Sequence, residues 1–198
     1  MEFENKEILE KCELCPHSCK VNRLSGEVGR CRAGEKVKVA LCDLHFFEEP
    51  CISGESGSGT VFFSGCNLSC KFCQNYKISQ EYLGKEIEIE ELADKFLMLQ
   101  DKGANNINLV TPTHFVPLII DGIRLAKNKG LKIPIVYNSS GYENVDTIKM
   151  LDGIVDIYLP DFKYYSDEYA IKYSKCKNYF KYASEAIDEM IRQKGRCK

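Results

Sequence analysis

Short apolar runs alternate with segments of helical spacing through the chain after about residue 56. Four of these runs lack the alternation of polar and apolar positions that a half-buried strand shows, at about residues 60–64, 106–110, 132–137 and 154–159. Such runs are typical of strands that are covered on both faces, as in a parallel sheet packed between helices. The pattern therefore predicts four parallel strands.

A helix is predicted after each of these strands, because apolar residues recur there every three or four positions. Each predicted helix ends close to a glycine, the residue most typical of a helix C-terminus. The apolar stripes and their glycines are Leu92, Phe96, Leu99 and Gly103; Ile119, Ile123, Ala126 and Gly130; Ile148, Leu151 and Gly153; and Tyr179, Ala183, Ala186, Met190 and Gly195. Repeated strand–helix units predict an α/β fold, either a barrel or a doubly wound sheet.

Three cysteines follow the first predicted strand on one short loop. Cys66, Cys70 and Cys73 have the spacing C-x3-C-x2-C. Three thiolates can bind three irons of an iron–sulfur cubane, whereas a closed cluster takes four protein thiolates. The remaining iron is then open to a molecule from outside the protein, like the open position of a catalytic zinc site. The alternative is a zinc site that a nearby histidine completes.

With Phe72 before the last cysteine, the loop resembles the C-x3-C-x-aromatic-C signature of radical S-adenosylmethionine (SAM) enzymes. The resemblance implies that Cys66, Cys70 and Cys73 hold a [4Fe-4S] cluster and that SAM binds its open iron. It also implies reductive cleavage of SAM to a 5′-deoxyadenosyl radical, chemistry that belongs to the cofactors. Phe72 is then expected to contact the adenine of SAM.

The same resemblance implies a partial (β/α) barrel of the radical SAM type. We expect an N-terminal Cys-rich segment at residues 1–55 and the barrel at residues 56–198. Relatives usually have six βα units, whereas this pattern stops after about four and leaves the last strand with an unpaired edge. A truncated chain, a shortened gene product and completion by a partner chain are all open as explanations.

Polar residues follow the second and third predicted strands, at the edge where such barrels carry their working residues. Backbone carbonyls around Thr111 are expected to bind the amine of SAM, although Thr113 could simply cap the next helix. Asn138 and Ser140 lie where the resemblance places contacts to the carboxylate or ribose of SAM. Their stretch of small polar residues is also typical of an ordinary turn.

Asp161 and Lys163 follow the fourth predicted strand and are similar to the Asp-x-Lys motif of glycyl-radical enzyme activases. Residues two apart on an extended segment face the same side, so the two charges could together orient a peptide or the cofactor. Because they stand at a strand end, we expect a catalytic role. The alternative is a surface ion pair that contributes little to the stability of the protein.

Four more cysteines lie near the N-terminus. Cys12, Cys15, Cys19 and Cys31 are close enough in sequence to form a tetrahedral zinc site or a second, closed cluster. Reduced cysteines without a metal are the third alternative. Thiolates suit both kinds of metal site, so the residue types alone do not decide among them.

Charge and composition bear on partners and location. The net charge of −2 comes from interspersed acids and lysines, so no basic stripe indicates a nucleic-acid partner. The N-terminus lacks the apolar core of a signal peptide and no stretch is long enough to span a bilayer, which predicts a cytoplasmic protein without a membrane partner. Eleven cysteines in such a protein indicate metal binding or redox chemistry rather than disulfides.

From about Cys12 onward, the N-terminal cysteines, residues 57–68 and residues 74–76 resemble a subgroup of uncharacterised proteins related to pyruvate formate-lyase activating enzyme. We therefore expect a radical SAM iron–sulfur enzyme that abstracts a hydrogen atom. Its favoured substrate is a glycyl-radical protein, and its electron donor is a protein such as flavodoxin or ferredoxin. The alternative is a non-catalytic metal-binding remnant or partner subunit, because half a barrel shields a radical poorly.

Overall fold

A computed structural model describes residues 6–195, whose framework is a single six-stranded sheet. Its strands are β1 (Val37–His45), β2 (Ser58–Phe63), β3 (Lys85–Ile87), β4 (Ile107–Val110), β5 (Ile135–Ser139) and β6 (Ile157–Pro160). They lie side by side in the order β3-β1-β2-β4-β5-β6. The α-helices of the described residues are α1 (Lys6–Glu10), α2 (Pro50–Ser53), α3 (Tyr76–Ser79), α4 (Ile89–Asp101), α5 (Val116–Asn128), α6 (Val145–Lys149), α7 (Asp167–Ser174) and α8 (Tyr179–Lys194).

The four predicted strands form the parallel part of this sheet. β2, β4, β5 and β6 pair in that order, each parallel to the next, with helices in the crossovers. The predicted α/β fold class is therefore confirmed. β5 begins at Ile135, later than predicted, because the amides of Lys132 and Ile133 donate to the side chain of Gln100 instead of entering the sheet.

Two antiparallel strands were not predicted. β1 pairs with β2 on one side and with β3 on the other. β1 lies within the predicted Cys-rich segment, and β3 is only three residues long. The division between residues 1–55 and 56–198 stays a prediction, and β1 joins one sheet with the strands beyond that point.

Two long helices cover one face of the parallel sheet. The predicted stripes of α4 and α5 are fully buried, and the helices end close to Gly103 and Gly130, which both have positive φ. On the strands, Val61, Leu109 and Tyr137 point into the same core. Their neighbours alternate to the opposite side of the sheet, as strand geometry requires. Part of that opposite side lines a cleft.

A buried arginine joins the N-terminal segment to the barrel. Arg23 is 1% exposed, and its guanidinium donates to the carbonyls of Gly34 and His114 over distances of 2.6 to 2.8 Å. A buried charge is tolerated only when it is hydrogen-bonded in this way. The contact fixes the segment before β1 against the residues that precede α5.

The opposite edge of the sheet is formed by β6. Within residues 6–195 no strand pairs with its outer side, and α8 packs against β6 and α6. The segment between β6 and α8, which the pattern left irregular, contains α7. None of the helices in the described part of the chain has both the length and the apolar character needed to cross a membrane.

Glu143 is fully buried after β5 and connects two loops. Thr113 Oγ1 donates to Glu143 Oε1 at 2.7 Å, so Thr113 does not cap α5, which begins at Val116. Burial raises the pKa of Glu143 to about 7, and the hydroxyl groups of Thr113, Ser139 and Tyr137 oppose this shift. Glu143 Oε2 has no hydrogen-bond partner within the described residues.

Glu143 should make the protein less stable as the pH rises. Its folded-state pKa of about 7 lies above the ordinary value of 4.5, so between these values the folded state keeps a proton that the unfolded state has lost. By linkage, stability falls progressively through this window, by about 3 kcal/mol in total. Glu143→Gln should remove that part of the pH dependence, measured by urea unfolding of both proteins across the window.

The control is Glu185→Gln, which changes an exposed acid on α8 and should leave the pH profile as it is in the wild type. A free-energy difference between wild type and Glu143→Gln that is constant across the pH window would contradict the assignment.

Candidate functional site

One cleft brings together every residue that the sequence analysis predicted for cluster binding, SAM binding and catalysis. The cleft has a volume of about 530 Å³ and lies at the carboxyl ends of β2, β4, β5 and β6. Its walls include Cys66, Cys70, Phe72, Cys73, Thr111, Asn138, Ser140, Asp161 and Lys163. The roles of these side chains stay predictions, and their common location makes a joint role geometrically feasible.

The cysteine loop is fixed where it leaves β2. Gly65 has a φ of +87°, and the carbonyl of Cys31 lies so close that a side chain at this position would collide with it. The buried Asn67 donates from Nδ2 to the carbonyl of Tyr142 at 2.6 Å. The carbonyl of Asn67 in turn contacts His17 Nε2 at 2.7 Å. The N-terminal segment and the residues after β5 therefore both support the loop.

Helix α7 supports the other side of the loop. The backbone amides of Ser69 and Lys71 donate to the carbonyls of Ser174 and Tyr173, at 3.0 and 2.8 Å. These two bonds lie on either side of Cys70. The loop is thereby held by backbone contacts and not only by its side chains.

Each of the three thiol sulfurs has a close hydrogen-bonding neighbour, and Cys66 Sγ also donates to Asn67 Oδ1 over a longer distance of 3.8 Å. These neighbours are Leu68 N–H at 3.3 Å from Cys66 Sγ, Ser174 Oγ at 2.9 Å from Cys70 Sγ, and Ser79 Oγ at 3.3 Å from Cys73 Sγ. Across residues 6–195, no three His, Cys, Asp or Glu side chains are gathered into an arrangement that could hold a single metal ion. In a cubane each thiolate binds a different iron, so the sulfurs need only border a common space.

Burial favours the neutral form of two of these thiols, Cys66 and Cys70. It raises the pKa of Cys66 to about 12. It also raises the pKa of Cys70, against the opposing effects of the Ser174 hydrogen bond and the Lys163 charge. Only a thiolate binds metal, so occupation of the site must release these protons. A positively charged iron centre that replaces these protons suits a partly buried set of sulfur donors.

Two residues on the cleft wall have features that suit ligand contact. Phe72 is 59% exposed and offers a flat apolar face, as a planar ligand would require. Thr111 has a φ of +58°, which is rare for a β-branched residue. Backbone strain of this kind is found where a main-chain group must point toward a ligand. It supports the expectation for the carbonyls around Thr111.

Sequence analysis missed an acid in the cleft. Glu48 follows β1, and its Oε2 accepts hydrogen bonds from Nδ2 of Asn108 at 2.9 Å and of Asn138 at 3.2 Å. The carboxylate thus joins the loop after β1 to two adjacent parallel strands and places a negative charge beside Asn138. No local motif marks Glu48, because its partners are contributed by strands far along the chain.

The pair at the end of β6 forms as expected. Lys163 Nζ contacts Asp161 Oδ2, and the lysine side chain is only 24% exposed. The fully buried Tyr179 of α8 organises this wall, because its hydroxyl donates to the carbonyl of Ser140 at 2.6 Å and accepts from the amide of Lys163 at 2.9 Å. The sequence pattern assigned Tyr179 only to an apolar stripe and gave no signal for its hydroxyl.

The four N-terminal cysteines line a separate and much smaller cavity. Its volume is about 10 Å³, and its walls include Cys12, Cys15, Cys19, Cys31 and the buried Arg23. Burial raises the pKa of Cys15 and Cys31. The fold places these thiols around one cavity, but among the described residues it does not bring three of them close enough to hold a single metal ion. Zinc, a second cluster and reduced thiols remain the three alternatives.

Comparison with known proteins matches residues 60–197 to the family model of the radical SAM superfamily, a range that contains all nine predicted cleft residues. An uncharacterized protein of Methanocaldococcus jannaschii is 38% identical over 185 residues, covering 88% of this chain and 52% of the relative. Pyruvate formate-lyase-activating enzyme of Clostridium pasteurianum is 29% identical over 126 residues, covering 59% of this chain and 50% of the relative.

A putative glycyl-radical enzyme activating enzyme of M. jannaschii is 27% identical over 137 residues, covering 69% of this chain and 54% of the relative. The chain spans about half the length of the curated relatives it matches. The family match covers well over half of the chain and confirms the resemblance carried by the cysteine loop. The chain belongs to the radical SAM superfamily.

Proposed function

We propose that this protein is an iron–sulfur enzyme that cleaves SAM reductively and abstracts a hydrogen atom from its substrate. The observation that carries the proposal is the single cleft in which three thiols face the predicted strand-end residues. The similarity to two activating enzymes supports a finer function, the activation of a glycyl-radical protein.

Different residues of the cleft would bind the two cofactors. Cys66, Cys70 and Cys73 would bind a [4Fe-4S] cluster, and Phe72, Thr111, Asn138 and Ser140 would bind SAM. Together the bound cofactors supply a 5′-deoxyadenosyl radical once an electron has arrived from a donor such as flavodoxin or ferredoxin. Glu48 places a carboxylate where a cationic amine would be attracted, and the amide groups of Asn108 and Asn138 keep that carboxylate in position.

Other residues of the cleft would shield the radical and orient the molecule that reacts with it. A radical must be kept from water and stray hydrogen donors. Phe62, Leu68 and Val110 contribute apolar surface to the cleft. Asp161 and Lys163, which also line the cleft, would orient a peptide or the cofactor, since Tyr179 fixes the backbone that carries them.

A protein substrate is supported by exposed aromatic residues next to Lys163. Phe162, Tyr165 and Phe180 are 49%, 83% and 40% exposed. Their rings contact each other, with centroids 5.0 to 5.5 Å apart. Aromatic side chains are enriched at protein–protein interfaces. A glycyl-radical protein that docks here would present its glycine to the adjacent cleft.

Cys66→Ala, Cys70→Ala and Cys73→Ala should each prevent the chain from holding the cluster. After anaerobic reconstitution with iron and sulfide, 5′-deoxyadenosine formation should fall at least about a hundredfold, because loss of a ligand costs more than loss of an outer contact. Iron, sulfide and 5′-deoxyadenosine are measured per chain. Cys42→Ala is the matched control, since Cys42 lies on β1 outside the cleft. This variant should bind iron and sulfide and form 5′-deoxyadenosine as the wild type does. Wild-type protein that contains zinc and no sulfide would refute the proposal.

Asn138→Ala should weaken SAM binding about tenfold, a loss typical of one or two hydrogen bonds. The substitution removes a cleft amide and one of the two groups that hold Glu48. The SAM dissociation constant of the reconstituted protein is measured by isothermal titration calorimetry. Asn128→Ala, on the exposed end of α5, is the control. Equal dissociation constants for wild type and Asn138→Ala would remove Asn138 from the SAM site.

The finer function is tested with candidate glycyl-radical proteins. Reduced, SAM-loaded enzyme mixed with its correct partner should produce a glycine-centred signal in electron paramagnetic resonance spectra. The signal should depend on SAM and on the three loop cysteines, because the hydrogen atom is removed by a radical made from SAM. Formation of 5′-deoxyadenosine without a glycine signal in any partner would leave SAM cleavage standing and overturn the activase role.

A further inference from the structure

Ser174 is a buried serine at the end of α7, outside the cysteine motif. It is 0% exposed, and its Oγ donates to Cys70 Sγ at 2.9 Å. This is the shortest hydrogen bond of the loop sulfurs within the described residues, since the others measure 3.3 to 3.8 Å. It also differs from them in origin, because Ser174 lies 104 residues beyond Cys70 in the sequence.

Tyr164 fixes the direction of this hydrogen bond. Its hydroxyl oxygen lies 2.6 Å from Ser174 Oγ. A hydroxyl group has a single hydrogen to donate, and a metal-bound thiolate has none. Ser174 therefore donates to the sulfur of Cys70 and accepts from Tyr164. The result is an ordered chain of two hydrogen bonds that ends at a cluster ligand.

Backbone hydrogen bonds hold the loop at Cys70 and the end of α7 together, next to the Ser174–Cys70 hydrogen bond. Ser69 and Lys71, the neighbours of Cys70, donate from their amides to the carbonyls of Ser174 and Tyr173. The last turn of α7 and the loop at Cys70 are thus connected on both sides of the sulfur. The distance from the Ser174 hydroxyl to the sulfur is set by these bonds and not by a mobile side chain alone.

We propose that Ser174, oriented by Tyr164, raises the reduction potential of the cluster that Cys70 binds. This inference rests on the proposed function, because it requires a cluster at the loop. One electron from an external low-potential donor adds one negative charge to the cluster, and a hydrogen bond donated to a ligand sulfur stabilises that charge. Hydrogen bonds to the sulfurs are among the factors that set the potential of iron–sulfur clusters. Their effect is strengthened where water is excluded.

Potentiometric titration of the reconstituted cluster, with dithionite as reductant and without SAM, tests the proposal. Electron paramagnetic resonance of the reduced cluster gives the midpoint potential independently of enzyme activity. Ser174→Ala should move the midpoint to a more negative value, by about 59 mV if the one-electron reduction equilibrium weakens tenfold. Tyr164→Phe keeps the ring and should cause a smaller shift of the same sign, since Ser174 then donates without a fixed orientation.

Ser166→Ala is the matched control, because Ser166 stands at the opposite end of α7 and its side chain makes no cap hydrogen bond. Its potential should equal that of the wild type. If Ser174 were only structural, Ser174→Ala would change the amount of cluster bound and leave its midpoint potential where it was, which would overturn the proposal. If Ser174→Ala does not fold, Tyr164→Phe tests the proposal in its place, and an unchanged midpoint potential in that variant would overturn it. Wild-type protein that takes up no cluster would instead overturn the proposed function.

Discussion

Three partly buried cysteines after β2 impose the constraint on which the rest of the structure depends. Burial raises the pKa of Cys66 and Cys70, which favours the thiol form of these two residues until a positive centre replaces their protons. The loop must also keep its shape when that centre is bound. Hydrogen bonds between the loop and the N-terminal segment, the residues after β5 and helix α7 meet this requirement.

The same constraint explains why the N-terminal segment and the barrel are closely joined. β1 pairs with β2 directly before the loop, and Glu48, which follows β1, reaches across to β4 and β5. Arg23 anchors the segment further back, through the carbonyls of Gly34 and His114. The cleft therefore has walls from both parts of the chain, and the parallel strands alone would not complete it.

Local sequence predicted the features that depend on local spacing. The cysteine loop, the parallel strands and the buried stripes of α4 and α5 all follow from residues close together in the chain. The resemblance also led to Asp161 and Lys163, which do pair at the cleft. Their catalytic role stays a prediction, because proximity does not establish chemistry.

The missed features depend on contacts between distant segments. Glu48, Ser174 and the hydroxyl of Tyr179 act on partners in other elements, so nothing beside them in the sequence indicates their surroundings. The short strand β3 and the weakly amphipathic helix α7 were missed because each is stabilised mainly by its neighbours. Tertiary packing commonly decides such elements in place of intrinsic preference.

The central claim is that three thiolates leave one iron of the cluster open to SAM. Mössbauer spectroscopy of protein reconstituted with isotopically enriched iron tests it directly, because each iron contributes its own signal. Addition of SAM should change the signal of one iron and leave the other three as they were, since only one lacks a protein thiolate. A spectrum that SAM does not alter would contradict the account.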